Sequence, residues 1–166
     1  MRVHLQRVIW ISLLSFTLSG CQNSAPEQTE ILWDTWGVPH IFAKNNTELF
    51  YAYGWAQMQS HGDLILKLYA EARGRSSEYW GTRNVQSDQY VHTMGVPARS
   101  EKWWQEQNEE LKGYMQAFVD GMNAYAAANP DHIAEKRRVV LPVLPTDPIG
   151  HFQRSIHLTF IAGGPA

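Results

Sequence analysis

The 166 residues contain a single cysteine, Cys21. No internal disulfide can form, and a zinc cage built on two or more thiolates is excluded. An exported protein of this composition is held together by burial alone. Charge of one sign is also scarce. With 14 Lys and Arg against 16 Asp and Glu, the formal net charge is −2, and the one dense basic patch is Lys136-Arg137-Arg138. Nucleic-acid binding needs clustered cations, so no nucleic-acid partner is expected, and the patch reads as a solvated helix end or loop. There is no Gly-x-Ser-x-Gly elbow, no His-Glu-x-x-His, no phosphate loop and no dinucleotide fingerprint. His151 and His157 are six apart and do not share a helical face, so no metal site is expected from them. Asp63, Asp88 and Asp120 have no nucleophile beside them and read as caps, surface groups or helix–helix hydrogen-bonders.

The longest apolar run, Val8 to Leu18, is too short to cross a bilayer comfortably and is flanked by Arg2, His4 and Arg7. It has the build of a secretory signal. The run ends in Leu18-Ser19-Gly20-Cys21, which resembles a bacterial lipobox. The expectation is a signal peptide over 1–20, a lipidated Cys21 at the mature N-terminus, a polar tether over 21–29 and a folded body over 30–166. Such a chain is exported to the bacterial cell envelope, either membrane-anchored or periplasmic. Seven Trp, seven Tyr and six Phe are many for this length and imply a large core, a pocket or a partner surface.

The body opens with Asp34-Thr35-Trp36-Gly37-Val38-Pro39-His40-Ile41. Short β-branched and aromatic runs on either side of Gly37 and Pro39 predict a strand, a turn and a second strand, with Glu30 to Asp34 and His40 to Ala43 paired. Asn45-Asn46-Thr47-Glu48 is a good helix start, with Asn46 or Thr47 as the cap. The helix runs from Leu49 to about Arg73 with apolar groups on more than one face. It is therefore buried on several sides, or broken in two near Gly62. Gly54 and Gly62 predict close approach of a neighbouring backbone. Arg75 and Glu78 are spaced to pair on one helical turn. Ser87-Asp88 opens a looser segment to Pro97, and a helix follows from Ala98 or Ser100 through Trp104. Asn108 caps a helix with Leu111, Tyr114, Met115, Phe118, Val119, Met122 and Tyr125 in helical register, ending at Asn129-Pro130. Val139-Val140-Leu141 reads as a short extended piece. Asp147 and Pro148 are an N-cap and a proline at the first helical position. The helix they open aligns Ile149, Phe152, Ile156 and Phe160 on one face and stops at Gly163-Gly164-Pro165.

Taken in order, several segments resemble the N-terminal region of the penicillin acylase family, which includes penicillin G acylases and acyl-homoserine-lactone acylases. They are DTWGVPHIFA, Leu49 to Met58, Ala72-Arg73-Gly74-Arg75 with Glu78 and Gly81, Asp88, and Phe118 to Tyr125. The resemblance covers about Ile31 to Phe160. It implies an α+β chain, mainly helical in isolation, with a short N-terminal β-hairpin. That chain would be the α part of an N-terminal-nucleophile hydrolase whose αββα core comes mostly from a β chain of the same precursor. In the family the nucleophile is the serine freed at the start of the β chain, its own amine acting as base. No catalytic residue is therefore expected in this chain, nor any metal or other cofactor, although calcium binds in part of the family. The last helix would contribute to the acyl pocket, with Ile156 and Phe160 as lining and Phe152 behind them. The implied substrate is a small molecule with a linear amide, the N-acyl bond of a β-lactam or of an acyl-homoserine lactone, so the implied roles are antibiotic metabolism or quorum quenching. Where much of the family carries Asp-Arg in the first long helix, this sequence has Ser60-His61. The alternatives are a non-catalytic surface lipoprotein that keeps the same fold, and a truncated product that does not fold without its partner.

Overall fold

The computed structural model describes residues 27–161. The expected signal peptide over 1–20, Cys21, most of the expected tether and the expected helix stop at Gly163-Gly164-Pro165 lie outside the described residues. Strands β1 (Glu30–Trp33) and β2 (Pro39–Phe42) pair antiparallel with Glu30 opposite Phe42 and Trp33 opposite Pro39. Their connection is organised by Asp34. Its Oδ1 accepts from the backbone N–H of Trp36 at 2.8 Å and of Val38 at 2.9 Å, and Oδ2 lies 3.3 Å from His40 Nε2. The Val38 backbone bond, helped by His40 and Trp36 and opposed by slight burial, holds the Asp34 carboxyl below the usual carboxylate range. Gly37 takes the positive φ of 75° that the turn requires.

Helix α1 (Asn46–Ala72) begins one residue earlier than expected: Asn45 is the cap, its side chain accepting from Glu48 N at 2.9 Å. Glu48 reaches back to Asn45 Nδ2 and also takes the Thr29 hydroxyl, tying the start of the hairpin to the start of the helix. The expected break is a kink at His61, with φ −141° and ψ 23° inside an otherwise helical run. Helices α2 (Ser76–Trp80), α3 (Val85–Thr93) and α4 (Val96–Gln105) follow. The segment read as loose is thus helical. Only Asp88 and Val91 of α3 are buried, so it has almost no apolar stripe to betray it. Asp88 caps α2 from outside, accepting from Ser76 N at 2.9 Å and Ser77 N at 2.7 Å. Helix α5 (Glu109–Ala128) is capped by Asn108, as its sequence predicts. After α6 (Glu135–Arg138), Val139 continues in helical geometry into a turn, so Val139 to Leu141 is not an extended piece. Helix α7 (Thr146–Ile156) leads into a π-helical turn, His157–Ile161.

The core lies between α1 and α5, which run in the same direction. Asn46 bonds to Tyr114, Phe50 stacks on Tyr114 with ring centroids 5.0 Å apart, and farther along both helices Trp55 meets Tyr125 edge-on at 5.3 Å. Between these pairs two glycines face the opposite backbone. A Cβ on Gly54 would sit 1.9 Å from the Phe118 carbonyl oxygen, and one on Gly121 would sit 2.0 Å from that of Tyr51. Backbone contact is therefore found at Gly54; at Gly62 the neighbours are side chains, Ile133 and Met58. Around this contact Met58, Leu66, Val119, Met122, Ile133 and Val140 are fully buried.

Gly54→Ala is expected to cost about 3 kcal/mol in denaturant unfolding, because the added carbon meets backbone that cannot change rotamer. Gly113→Ala on the open face of α5 should be neutral or stabilise by roughly 0.5–1 kcal/mol. Equal effects of the two substitutions would contradict the packing described.

Candidate functional site

The resemblance directs attention to α7, and its environment begins with Arg73 at the end of α1. Arg73 Nε and Nη2 bond Asp147 Oδ1 and Oδ2 at 2.7 and 2.6 Å. The remaining hydrogens of the fork reach the carbonyl oxygens of Val140 and Pro142, both at 2.8 Å, and the Tyr79 hydroxyl at 3.3 Å. The Arg73 side chain is 13% exposed and that of Asp147 only 1%. Asp147 also accepts from the backbone N–H of Leu144 at 2.7 Å. Asp147 is therefore not the N-cap of α7; that position is Pro145, which has no capping side chain. The carboxylate lies within the first turn, where it both ties back the preceding loop and complements the positive end of the helix. A buried pair this fully bonded fixes the start of α7 against the end of α1 and the 140–142 turn.

The face of α7 turned inward is the polar one: Asp147, Gly150 and Gln153 are buried. Arg154 bonds Glu71 of α1 at 2.8 Å, and Arg99 of α4 donates to His157 at 3.0 Å. His151 lies against Tyr69, its ring centroid 6.1 Å away. Burial first, then the nearby Arg154, pushes the His151 pKa down, while Glu71 opposes the shift. Burial, with the charge of Asp147 adding to it, pushes the Tyr69 hydroxyl far above its ordinary value, so it stays protonated.

The apolar stripe of α7 consequently points outward. Phe152 is 60% exposed, Phe160 is 79% exposed and Ile156 is half-buried. Phe152 borders an apolar groove of about 380 Å³ with Trp103, Leu111, Met115, Pro148 and Ile149. Ile156 and Phe160 do not border that groove. They share a helix face that is open. The hairpin and the first turns of α1 show the same character: Trp36 is 88% exposed, and Leu32, Phe42 and Tyr53 are about half exposed.

The three aspartates considered as possible bases all have structural partners. Asp88 caps α2, Asp63 accepts from Ala134 N at 2.9 Å, and Asp120 accepts from Gln116 at 2.8 Å. Arg75 and Glu78 form the expected pair, with Arg75 Nε 2.6 Å from Glu78 Oε2, and it is solvent-exposed. Lys136 to Arg138 form α6 and its end, where Arg137 lies over the Trp80 ring at 4.5 Å. The Arg73–Asp147 pair was not foreseen. Its partners are 74 positions apart, and Asp-Pro in sequence reads as an ordinary helix start.

Asp147→Asn should lower stability by ~3–5 kcal/mol, since it leaves a buried guanidinium without its counter-charge. Replacing both partners, Arg73→Met with Asp147→Leu, should recover only part of that loss, because the carbonyls of Val140 and Pro142 would still lose their donors. Thermal unfolding of the two variants measures both; full recovery in the double variant would mean that the carbonyl contacts contribute nothing.

The family described as penicillin amidase matches residues 28–153. Among curated proteins, the chain is 30% identical over 124 residues to an acyl-homoserine lactone acylase PvdQ of Pseudomonas fluorescens, covering 69% of this chain and 16% of that protein. It is 29% identical over 115 residues to the penicillin acylase 2 proenzyme of Pseudomonas sp. strain SE83, covering 69% of this chain and 15% of that protein. The chain thus spans about a sixth of the length of these relatives. A solved thermostable penicillin G acylase from Alcaligenes faecalis superposes with a TM-score of 0.70 at 21% identity, covering 82% of this chain and 76% of the matched chain. The match thus takes in about three quarters of one solved chain and a small part of the longer curated proteins. With its hairpin, its paired α1 and α5 and the anchored start of α7 inside residues 28–153, the chain belongs to the penicillin amidase family.

Proposed function

We propose that this chain is the α part of an amidohydrolase that cleaves a linear amide, releasing a carboxylic acid and an amine. The observation that carries the reading is the orientation of α7. A helix in a self-sufficient domain turns its apolar stripe inward, whereas here the polar stripe is buried and Phe152 and Phe160 face out. Such a face suits an acyl pocket completed by a second chain, with Phe160 and Ile156 nearest the acyl group and Phe152 behind. The exposed edges of β1 and β2 suit pairing with strands of that same chain. Nucleophile, amine base and oxyanion donors would come from the second chain, so the α part supplies fit to the acyl group. The candidate substrates are the N-acyl bonds of a β-lactam and of an acyl-homoserine lactone.

Co-expression with a family β chain that begins in serine is expected to yield a complex that hydrolyses one of these two amides. Phe160→Ala should then raise KM for long or aromatic acyl groups about tenfold while changing kcat less, the pattern of lost ground-state binding. A chain that is monodisperse alone, unfolds cooperatively and ignores the β chain would favour the second reading, a non-catalytic surface lipoprotein of the same fold.

The location follows from Cys21, which we take to carry the lipid anchor. No helix among the described residues is long and apolar enough to cross a membrane. Expressed in bacteria fed a clickable fatty acid, the chain should incorporate label and sediment with membranes, and Cys21→Ala should do neither. Label retained in the variant would remove the anchor assignment.

A further inference from the structure

Helix α7 is held at its two ends by different chemistry. At the start, Arg73 and Asp147 form a bidentate, fully bonded ion pair. At the other end Arg154 bonds Glu71 of α1 at 2.8 Å, and the turn beyond it is held, among the described residues, by one side-chain bond, from Arg99 Nη1 to His157 Nε2, 3.0 Å long. A guanidinium has only donors and does not deprotonate in a protein. That bond therefore exists only while Nε2 presents a lone pair, with the imidazole neutral and its hydrogen on Nδ1. Nδ1 is itself buried without a partner. Arg99 is fixed from behind, its Nη2 donating to Met94 O at 2.6 Å, so the guanidinium cannot simply turn away.

Among the described residues, the charged groups on the elements packed at this end are already engaged with one another. From α4 comes Arg99, a cation. From α1 comes Glu71, one oxygen bonded to Arg154 at 2.8 Å and the other facing Lys67 at 3.7 Å, together with the protonated Tyr69 hydroxyl. From α7 itself come Arg154, His151 and Asp147, the last wholly engaged by Arg73. Each nearby carboxylate already has a cation.

We infer that His157 is an acid-sensitive latch: protonation turns its bond with Arg99 into a like-charge contact and releases the turn His157–Ile161, Phe160 with it, while the Arg73–Asp147 anchor stays closed. His151 acts in the same direction. Its folded-state pKa lies below the unfolded value of 6.5, so the unfolded chain takes up the proton first. Its contribution to holding α7 is complete above that pH and is lost as the pH falls below it. Gln153 offers little resistance between the two ends, for both its amide atoms are buried without partners. On the functional reading above, the released turn carries a pocket residue, but the latch rests on the Arg99–His157 geometry alone.

Hydrogen exchange on the complete chain, corrected for intrinsic rates, tests this. Between about pH 8 and about pH 5 the amides of 154–161 should lose roughly tenfold in protection while those of α5 do not. His157→Gln keeps an acceptor near the Nε2 position and has nothing to titrate, so its protection should be flat with pH. Nitrogen-15 shifts of the His157 ring should report the Nδ1–H tautomer at about pH 8. An Nε2–H tautomer, unchanged protection in the parent chain, or an equal acid loss in His157→Gln overturns the latch. Absence of amide hydrolysis would defeat the functional reading and leave these outcomes unaffected.

Discussion

The arrangement of the C-terminal third depends on one buried cation. Arg73 stands at the end of the longest helix, and its guanidinium collects a carboxylate, two backbone carbonyls and a phenol that arrive from three separate segments. Without it the carbonyl oxygen of the buried Val140 would lose its donor, and α7 would have no charged tie to α1 at its start. The geometry suits arginine in particular, since a lysine offers a point charge where this site uses a planar fork. The ion pair sits where polar backbone converges and ties the start of α7 to the end of α1.

That fixed position explains how a polar helix face comes to be inside. With Asp147 drawn inward by Arg73, helical periodicity brings Gly150, Gln153 and Arg154 to the same side, and Arg154 finds Glu71. The apolar residues are then obliged to face outward. Similar exposure on the hairpin and early α1 gives the chain two open apolar surfaces, while its α1–α5 centre is closely packed around Gly54 and Gly121. The aromatic excess divides accordingly: Trp55 and Tyr125 pack inside, while Trp36, Phe152 and Phe160 stay outside.

Much of this was legible in the sequence where the cause is local. The hairpin, the Asn108 cap, the break near Gly62 and the close contact at Gly54 each follow from one or two residues whose chemistry has few alternatives. The cap of α1 is Asn45 where Asn46 or Thr47 was expected, within a run of similar residues. What the sequence hid depends on distant partners. Helix α3 lacks a stripe because it buries only Asp88, which caps α2, and Val91. The Val139–Leu141 run resembles a strand, yet it turns, and Arg73 takes its Val140 carbonyl. The stripe on α7 was read correctly as a stripe, but periodicity cannot say which side meets the core. The candidate site was legible as a helix and illegible as an orientation.

The reciprocal glycine contact between α1 and α5 has a consequence for how this chain can vary. In most packed pairs, a larger residue on one side can be offset by a smaller one opposite, so the two positions drift together. Gly54 and Gly121 each face main-chain atoms, the carbonyls of Phe118 and Tyr51, and main chain cannot be made smaller. No second-site substitution can compensate at either place. Only a sliding apart of the helices would, and that would separate Phe50 from Tyr114 and Trp55 from Tyr125 together. Each glycine is thus constrained independently of the other, and the two together fix the spacing of the helices.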